Sequence, residues 1–437
     1  MAGVFARDTA VTTAARIAAA VLNLATAAVI ARMLGPEGQG IYSLAILFPA
    51  LLAVFNNLAF NAAAVYLIGT KKYAAGVALT QMLYFTAIAS ALTLPIGWLI
   101  LKFWSGALFP GVPHRMLLIA LGLVPLILAS DLFAHILIAL QKLRTYNLMS
   151  LLQAGLFLAL ALALLPGGHF SARAVLLAYC ASYVPAVILI FRRAAIEAGG
   201  LVPGFRRDYF RDALSYGLKV YLGSVFSFVD YRINMLLLNL MLNPAATGIY
   251  YAAMRLAEGI WLVSLSASTV LFPRVASDPD PASSARFTAL VCRSVLLVTT
   301  LMVIPLLFLS RPVMTLLYSS AFASGGPVLT VLLVGAVAIG GWRILANDLA
   351  ARGRPILYTR ATWMAVLLNI TLNLLFIPRW HVAGAAAAVT TSYFFRYALT
   401  AWYYSRETKQ PITDSLLPKR ADFTAYKKLW LSLRGAA

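Results

Sequence analysis

Charged residues are scarce in this sequence. Only 11% of its 437 residues are Asp, Glu, Lys or Arg, while 62% are hydrophobic. A soluble domain carries roughly 25% charged residues, so this chain has too few to cover a water-facing surface. Its mean hydropathy of +0.85 agrees. A soluble enzyme, a disordered chain and a nucleic-acid-binding module are excluded, and an integral membrane protein is implied. Acids are scarcer still, 14 against 35 Lys and Arg, for a formal charge of +21. In a soluble protein that excess would point to nucleic acid; in a membrane chain the first question is whether the charges sort to one side. Cysteine is nearly absent: Cys180 and Cys292 both fall in or beside apolar runs, which implies neither a disulfide framework nor a metal site. The four histidines, His114, His135, His169 and His381, are far apart and suggest no nucleophile triad or metal cluster. A phosphate-binding Walker loop is missing too, so ATP is not the direct energy source.

What the sequence has in abundance is long apolar runs. A spanning helix needs about 20 mostly apolar residues, and twelve such runs occur: 11–34, 41–68, 77–101, 116–140, 148–165 and 174–191, then 213–242, 249–272, 290–309, 328–350, 356–377 and 383–404. The first is too long for a cleavable signal peptide, lacks a small-residue cleavage site and feeds directly into another span. The expected organisation is a six-helix lobe over 1–191, a basic cytoplasmic linker over 192–212, a second six-helix lobe over 213–404 and a cytoplasmic tail over 405–437. Within the tail, residues 421–434 mix Phe423, Tyr426, Leu429 and Trp430 with Lys427 and Lys428, as an interfacial amphipathic helix would. Alternate loops and the tail hold twenty-one Lys and Arg, the opposite loops six. The richer side is expected to be cytoplasmic, with both termini inside, and attraction to anionic lipid headgroups accounts for much of the remaining charge.

The chain also repeats itself. Leu34-Gly35-Pro36-Glu37-Gly38-Gln39-Gly40-Ile41-Tyr42-Ser43-Leu44-Ala45 aligns with Leu242-Asn243-Pro244-Ala245-Ala246-Thr247-Gly248-Ile249-Tyr250-Tyr251-Ala252-Ala253 at an offset of 208, with six of twelve positions identical. Matching Pro, Gly and Tyr does not follow from apolar composition alone. Ser182-Tyr183 and Ser392-Tyr393 repeat at an offset of 210. Six spans per copy preserve orientation, so the halves are parallel repeats about an axis normal to the membrane. That architecture belongs to transporters whose two bundles rock around a shared site.

The stretch Ala31-Arg32-Met33-Leu34-Gly35-Pro36-Glu37-Gly38-Gln39-Gly40-Ile41-Tyr42 resembles the signature of polysaccharide flippases, the O-antigen-type branch of the multidrug/oligosaccharidyl-lipid/polysaccharide exporter superfamily. Asp230, the Gly248-Ile249-Tyr250 hairpin, Pro273, Gly353-Arg354-Pro355 and the stretch from Asn373 to Gly384-Ala385-Ala386 fall where such proteins place them, and the likeness runs to about Arg406. The resemblance implies an all-α membrane protein of two pseudo-twofold-related lobes alternating between inward-open and outward-open states. It also implies the substrate and setting: an undecaprenyl-pyrophosphate-linked oligosaccharide moved to the outer leaflet of the bacterial cytoplasmic membrane, with other polysaccharide-assembly proteins as partners. No bound cofactor is expected, and a proton or sodium gradient is the expected drive. The family's cavity is usually cationic and lined by spans one, two, seven and eight.

Ionisable groups inside spans cost about 2.5–3.5 kcal/mol each on insertion scales, so each needs a reason. The candidates for gripping a pyrophosphate are Arg16, Lys219, Arg232 and Arg255, since Arg offers paired donors. Arg16 and Lys219 lie near span ends and could instead snorkel. Asn57 and Asn61, four residues apart on one helical face, are candidates for a sugar-facing wall or for interhelical hydrogen bonding. Glu258, Asp230 and Asp131 are candidates for ion coupling. Arg255 and Glu258, three residues apart, are expected to pair, whether permanently or until ligand or proton parts them. Asp131 with His135 reads as a helix-packing pair before a proton relay. Arg343 and Arg396 are expected to find Asp348 or a carbonyl. Pro49, Pro95, Pro125, Pro185 and Pro305 should kink their spans. Two alternatives to a flippase remain. One is a cation-coupled drug exporter of the same superfamily, which would need an acidic cavity. The other is a membrane glycan polymerase or ligase, which would need a long catalytic outer loop.

Overall fold

The computed structural model describes residues 2–166, 170–278 and 280–416, without the side chains of residues 2–14, 16, 270 and 273. The side chain of Arg16 and the amphipathic helix expected over 421–434 therefore lie outside the described residues. Within them all regular structure is helical: α1 (Ala2–Asn57), α2 (Phe60–Gly69), α3 (Ala75–Leu108), α4 (His114–Leu121), α5 (Leu123–Ala139), α6 (Leu143–Ala163), α7 (Ala172–Glu197), α8 (Arg207–Met241), α9 (Pro244–Ser277), α10 (Pro281–Leu317), α11 (Gly325–Ala351), α12 (Pro355–Thr408) and α13 (Thr413–Leu416), with one 3-10 turn at Ser320–Phe322.

Nine helices among the described residues are long and apolar enough to cross a membrane. Two of these contain a non-helical residue, α1 at Gly35 (φ 65°) and α12 at His381 (φ 50°), and each supplies two of the expected spans. The 35-residue α8 completes the dozen; its charges, from Arg207 to Arg232, keep it out of the purely apolar set. Lipid offers the backbone no hydrogen-bonding partners, so the chain satisfies them within helices. The protein is an all-helical, multi-pass membrane protein. The non-helical residues inside α1 and α12 are Gly35 and His381: Gly35 takes a φ that only glycine adopts freely, and Pro36 then opens the next helical segment; the span expected over 116–140 is interrupted at Gly122, three residues before Pro125. Helices continue through Pro49, Pro95, Pro185 and Pro305.

The chain forms two compact units, one of residues 1–252, 314–325 and 377–382, the other of 253–313, 326–376 and 383–437. In the first unit the sequence repeat becomes a contact. A Cβ placed on Gly40 would sit 1.8 Å from the Pro244 carbonyl oxygen, and one on Gly248 would sit 1.9 Å from the Pro36 carbonyl oxygen. Gly40 and Gly248 are equivalent positions of the two repeats, as are Pro36 and Pro244. The repeats thus meet reciprocally, as a twofold-related pair of surfaces must, through backbones that approach as closely as small residues allow in membrane helices. Nearby, Arg32 Nε donates to the Leu317 carbonyl at 2.8 Å and its Nη2 to that of Leu316. These are carbonyls at the C-terminus of α10 that no helical N–H can take.

The core of this unit at its Lys- and Arg-rich end is an aromatic cluster. Phe60, fully buried, stacks on Phe85 at 4.1 Å between centroids and meets Tyr209 edge-on at 5.9 Å. It ties short α2 to α3 and α8. The basic segment after α7 lies on α3: Gln81, fully buried, donates from Nε2 to the Gly204 carbonyl at 2.8 Å and accepts the Arg206 N–H at 2.9 Å. Thr80 Oγ1 accepts the Val202 N–H at 3.1 Å.

In the second unit a buried ionic network sits where α10 meets α11. Asp348, with no exposed surface, accepts from Thr288 Oγ1 at 2.6 Å and from Arg352 Nε at 2.5 Å, and Arg352 Nη2 reaches Ser284 Oγ at 2.8 Å. This corrects the expectation that Asp348 serves Arg343 or Arg396. α11 runs to Ala351, past the end of the span expected over 328–350, and so makes Arg352 the neighbour of Asp348 one helical turn on. Arg396, buried, stacks 4.2 Å from the Trp342 ring and 5.0 Å from that of Tyr393, and Arg343 lies 5.8 Å from the Trp261 ring. The tail is tied back through Arg293, which donates to the Asp414 carbonyl, and α12 is tied to α10 by Tyr404, whose hydroxyl donates to the Ala285 carbonyl at 3.0 Å.

Candidate functional site

The first unit contains a cavity of about 320 Å³ formed by α1, α2, α5 and α8. Its origin is a break in the second span. Leu58 and Ala59 both adopt left-handed backbone (φ 50° and 53°) although neither is glycine, a conformation costing about 1–2 kcal/mol per residue. The break deprives the Phe55 carbonyl of its helical donor, the N–H of residue 59, and the Tyr221 hydroxyl from α8 donates to it instead at 2.7 Å. Gly217 lets α8 approach: a Cβ there would lie 2.5 Å from the Leu58 carbonyl oxygen.

Asp131 closes the arrangement from α5. Its Oδ2 accepts from Asn57 Nδ2 at 2.7 Å and from Asn61 Nδ2 at 2.8 Å, so one carboxylate oxygen bridges the two sides of the break. The expectation that Asn57 and Asn61 share the face of one continuous helix is corrected here. The helix is interrupted between them, and they converge through Asp131 instead. The pairing of Asp131 with His135 is also looser than expected. His135 Nδ1 lies 2.7 Å from the backbone carbonyl of Asp131 and 3.5 Å from the carboxylate Oδ1. Ile127, Leu128, Ala50, Val54 and Phe228 make the remaining wall largely apolar, with Ser224 the other polar side chain.

A second recess of about 450 Å³, between α2 and α8 at their Lys- and Arg-rich end, holds Lys219. Lys72 Nζ lies 2.7 Å from Asp212 Oδ2, which also accepts from the Tyr73 hydroxyl at 2.8 Å. The bonds from Lys72 and Tyr73 hold the Asp212 carboxyl below the usual carboxylate range. Burial and the neighbouring Asp212 push the Tyr73 hydroxyl well above its ordinary value. Lys219 has no acidic partner among the described residues, so two ammonium groups face one carboxylate and the recess is net cationic. The Tyr66 and Tyr216 rings stack at its wall, 4.3 Å apart and 10° from parallel. Such a recess can receive an anionic group on its lysines and a sugar face against its aromatics.

Three of the expected site residues thus converge on the first cavity, Asn57, Asn61 and Asp131, and a fourth, Lys219, lines the second recess. Asp230 is fully buried in mid-α8, and Arg232 is half-buried two residues on. In the second unit Arg255 Nη1 stands 3.4 Å from Glu258 Oε2. Lys72, Tyr66, Asp212 and Tyr216 escaped sequence reasoning. Lys72 had a sufficient explanation as a topology charge, and a ring stack between residues 150 positions apart leaves no periodic signal.

Helical bends, a repeat realised as a reciprocal contact and polar recesses within the helices are features that two repeated membrane bundles bring together. The family described as polysaccharide biosynthesis protein matches residues 5–277, and that of the lipid II flippase MurJ matches residues 156–427. The chain belongs to the polysaccharide biosynthesis protein family, within the flippase branch of the multidrug/oligosaccharidyl-lipid/polysaccharide exporter superfamily. Over 207 residues it is 25% identical to a probable low-salt glycan biosynthesis flippase, Agl15, of Haloferax volcanii, and 24% identical to an uncharacterized membrane protein of Methanocaldococcus jannaschii. These matches cover 46% of this chain and 43% and 41% of the two relatives, less than half the length of either. Its fold is similar to that of lipid II flippase MurJ in an inward closed conformation (TM-score 0.78, 17% identity, 92% of this chain and 88% of that one). It is also similar to an inward-facing multidrug resistance MATE transporter (TM-score 0.69, 15% identity, 90% and 94%).

Proposed function

We propose that this protein is a flippase that carries an undecaprenyl-pyrophosphate-linked oligosaccharide across the bacterial cytoplasmic membrane by alternating access, for assembly of a surface polysaccharide such as O-antigen or exopolysaccharide. The observation that carries the reading is the cationic recess of Lys72 and Lys219 beside the stacked Tyr66 and Tyr216. Its lysines match a pyrophosphate and its rings match the apolar face of a sugar. The recess lies at the Lys- and Arg-rich end, which the positive-inside rule makes cytoplasmic, as it makes both termini; a substrate made inside would enter there. Arg16, Arg232 and Arg255 are further cations for the pyrophosphate, and Asn57 and Asn61 further polar contacts for the glycan. A proton or sodium gradient drives the cycle, with Asp131, Asp230 and Glu258 as coupling acids, and other polysaccharide-assembly proteins supply and consume the glycan. Family membership and the Haloferax flippase support a glycan cargo over a drug.

The test is a proteoliposome assay with defined lipid-linked glycans. Wild-type protein moves the glycan to the opposite leaflet. The Lys72→Ala, Lys219→Ala double variant inserts normally and loses at least tenfold in rate, while the double Arg variant retains transport. Wild-type flux in the double Ala variant would remove the recess from the substrate path. Failure of the wild type on every lipid-linked glycan, with transport of organic cations instead, would overturn the function itself.

A further inference from the structure

The cationic recess contains an anion of its own. Lys72 Nζ stands 2.7 Å from Asp212 Oδ2, and the Tyr73 hydroxyl donates to that same oxygen at 2.8 Å. The ion pair is not what holds this corner of the fold. The turn that carries Lys72 closes on its own backbone, with the Lys71 N–H on the Ile68 carbonyl at 2.9 Å and the Lys72 N–H on the Leu67 carbonyl at 3.0 Å. Tyr73 packs edge-on against buried Tyr209, 5.0 Å between centroids, and its hydroxyl ties the turn to α8 without help from the lysine. The Lys72 side chain is half-exposed, and an ion pair so open to water is weakly held and readily exchanged. Asp212 is ionised at neutral pH, since its carboxyl lies below the usual range. Among the described residues, the recess with Asp212 on Lys72 offers an entering anion the single ammonium of Lys219; with Asp212 displaced it offers two.

We propose that Asp212 is a specificity-determining residue, an internal competitor that occupies Lys72 while the recess is empty and must yield that lysine before a pyrophosphate can hold both ammonium groups. A pyrophosphate linking lipid to sugar carries two negative charges and needs both lysines for balance. When it takes Lys72, Asp212 keeps the Tyr73 hydrogen bond, and the turn stays in place. The displacement weakens every such anion alike, so it selects by what else the anion brings. Inorganic pyrophosphate brings charge alone and binds poorly. A lipid-linked glycan adds a sugar face against the stacked Tyr66 and Tyr216 and a chain that stays in the bilayer, and it still binds. The proposal deepens the reading of this recess as the entry point of a pyrophosphate-linked glycan and rests on that reading for the identity of the ligand.

The experiment is calorimetric titration of the purified full-length chain in detergent with inorganic pyrophosphate, free of divalent metal and at constant ionic strength. Asp212→Asn binds at least about fivefold more tightly than the wild type, a factor that matches the loss of one exposed ion pair. Asp208 meets Tyr73 at 3.3 Å but does not line the recess; Asp208→Asn removes the same charge nearby and stays within about twofold of the wild type. In a Lys72→Ala background Asp212→Asn brings no more than about a twofold gain, because the disputed lysine is gone. Wild-type affinity in Asp212→Asn overturns the proposal. So does an equal gain in Asp208→Asn, or an undiminished gain without Lys72, since either reduces Asp212 to one charge in a diffuse field. Absence of binding in both wild type and Asp212→Asn overturns it as well. Should Asp212→Asn not yield a monodisperse protein, Asp212→Ser, which also removes the charge, is held to the same outcomes. Binding is measured without transport, so the two readings fail separately. A wild type that moves no lipid-linked glycan, while Asp212→Asn still gains in affinity, refutes the flippase alone. A wild type that moves the glycan, with Asp212→Asn gaining nothing, refutes the competitor alone.

Discussion

Adding one methyl group at Gly40 is the sharpest perturbation this fold allows. The new Cβ would stand 1.8 Å from the Pro244 carbonyl oxygen, where ordinary contact begins at 3.4 Å, so the two repeat hairpins must part by about 1.5 Å. Backbone lies on both sides, so no side chain can rotate away. Overpacking of this kind costs about 1–3 kcal/mol. Gly248→Ala meets the Pro36 carbonyl at 1.9 Å and should cost the same. The two contacts are reciprocal, so one separation relieves both. The double variant should therefore cost little more than either single one, with a coupling energy of about 1–3 kcal/mol where independent sites add within roughly 0.5 kcal/mol. Gly155→Ala is the control: it lies inside α6 with nothing within 4 Å, and removing a helical glycine should stabilise by about 0.5–1 kcal/mol. The measurement is equilibrium unfolding of the four variants in a bilayer-mimicking detergent. A cost below about 0.5 kcal/mol at Gly40, or full additivity in the double variant, would refute the reciprocal contact.

In the second unit, Asp348→Asn leaves Arg352 with Ser284 and the Pro281 carbonyl but without its counter-charge, and should cost about 3–5 kcal/mol. Combining it with Arg352→Met should recover most of that loss in a thermal melt, and no recovery would show that Arg352 is not the partner that matters. At the basic end, Asp212 is held below the usual carboxylate range by Lys72 and Tyr73, so its bonds stabilise the fold above the unfolded carboxyl's pKa of about 4. That stability is lost as pH falls through the lower folded value. Hydrogen exchange at α2 should therefore accelerate only on the acid side, and Asp212→Asn should flatten the profile; an unchanged acid limb in that variant would show that other groups set it.

How much of this was legible in the sequence differs from feature to feature. The spans were legible because an apolar run of sufficient length is a local property, and so was the repeat, because Pro36, Gly40 and Tyr42 recur at a fixed offset. Asp131, Asn57 and Asn61 were legible one by one as costly polar groups. Their meeting was not. It depends on two left-handed residues, Leu58 and Ala59, whose side chains have no preference for positive φ. The tertiary contacts from Tyr221, Gly217 and Asp131 compensate that backbone. Lys72 read as a topology charge and Asp212 as no more than the end of the linker, because nothing along the chain connects positions 140 residues apart.

The division has one physical cause. In lipid, backbone hydrogen bonds must close within each helix, so the existence, length and alternation of the helices follow from the order of residues alone. Charge asymmetry and the glycines of the repeat are likewise written in one dimension. A buried polar side chain finds its partner across helices instead. Whether Asp348 takes Arg352 rather than Arg343, or Gly40 meets Pro244, is settled by which helices lie together and where each one breaks, and only the folded protein contains that information.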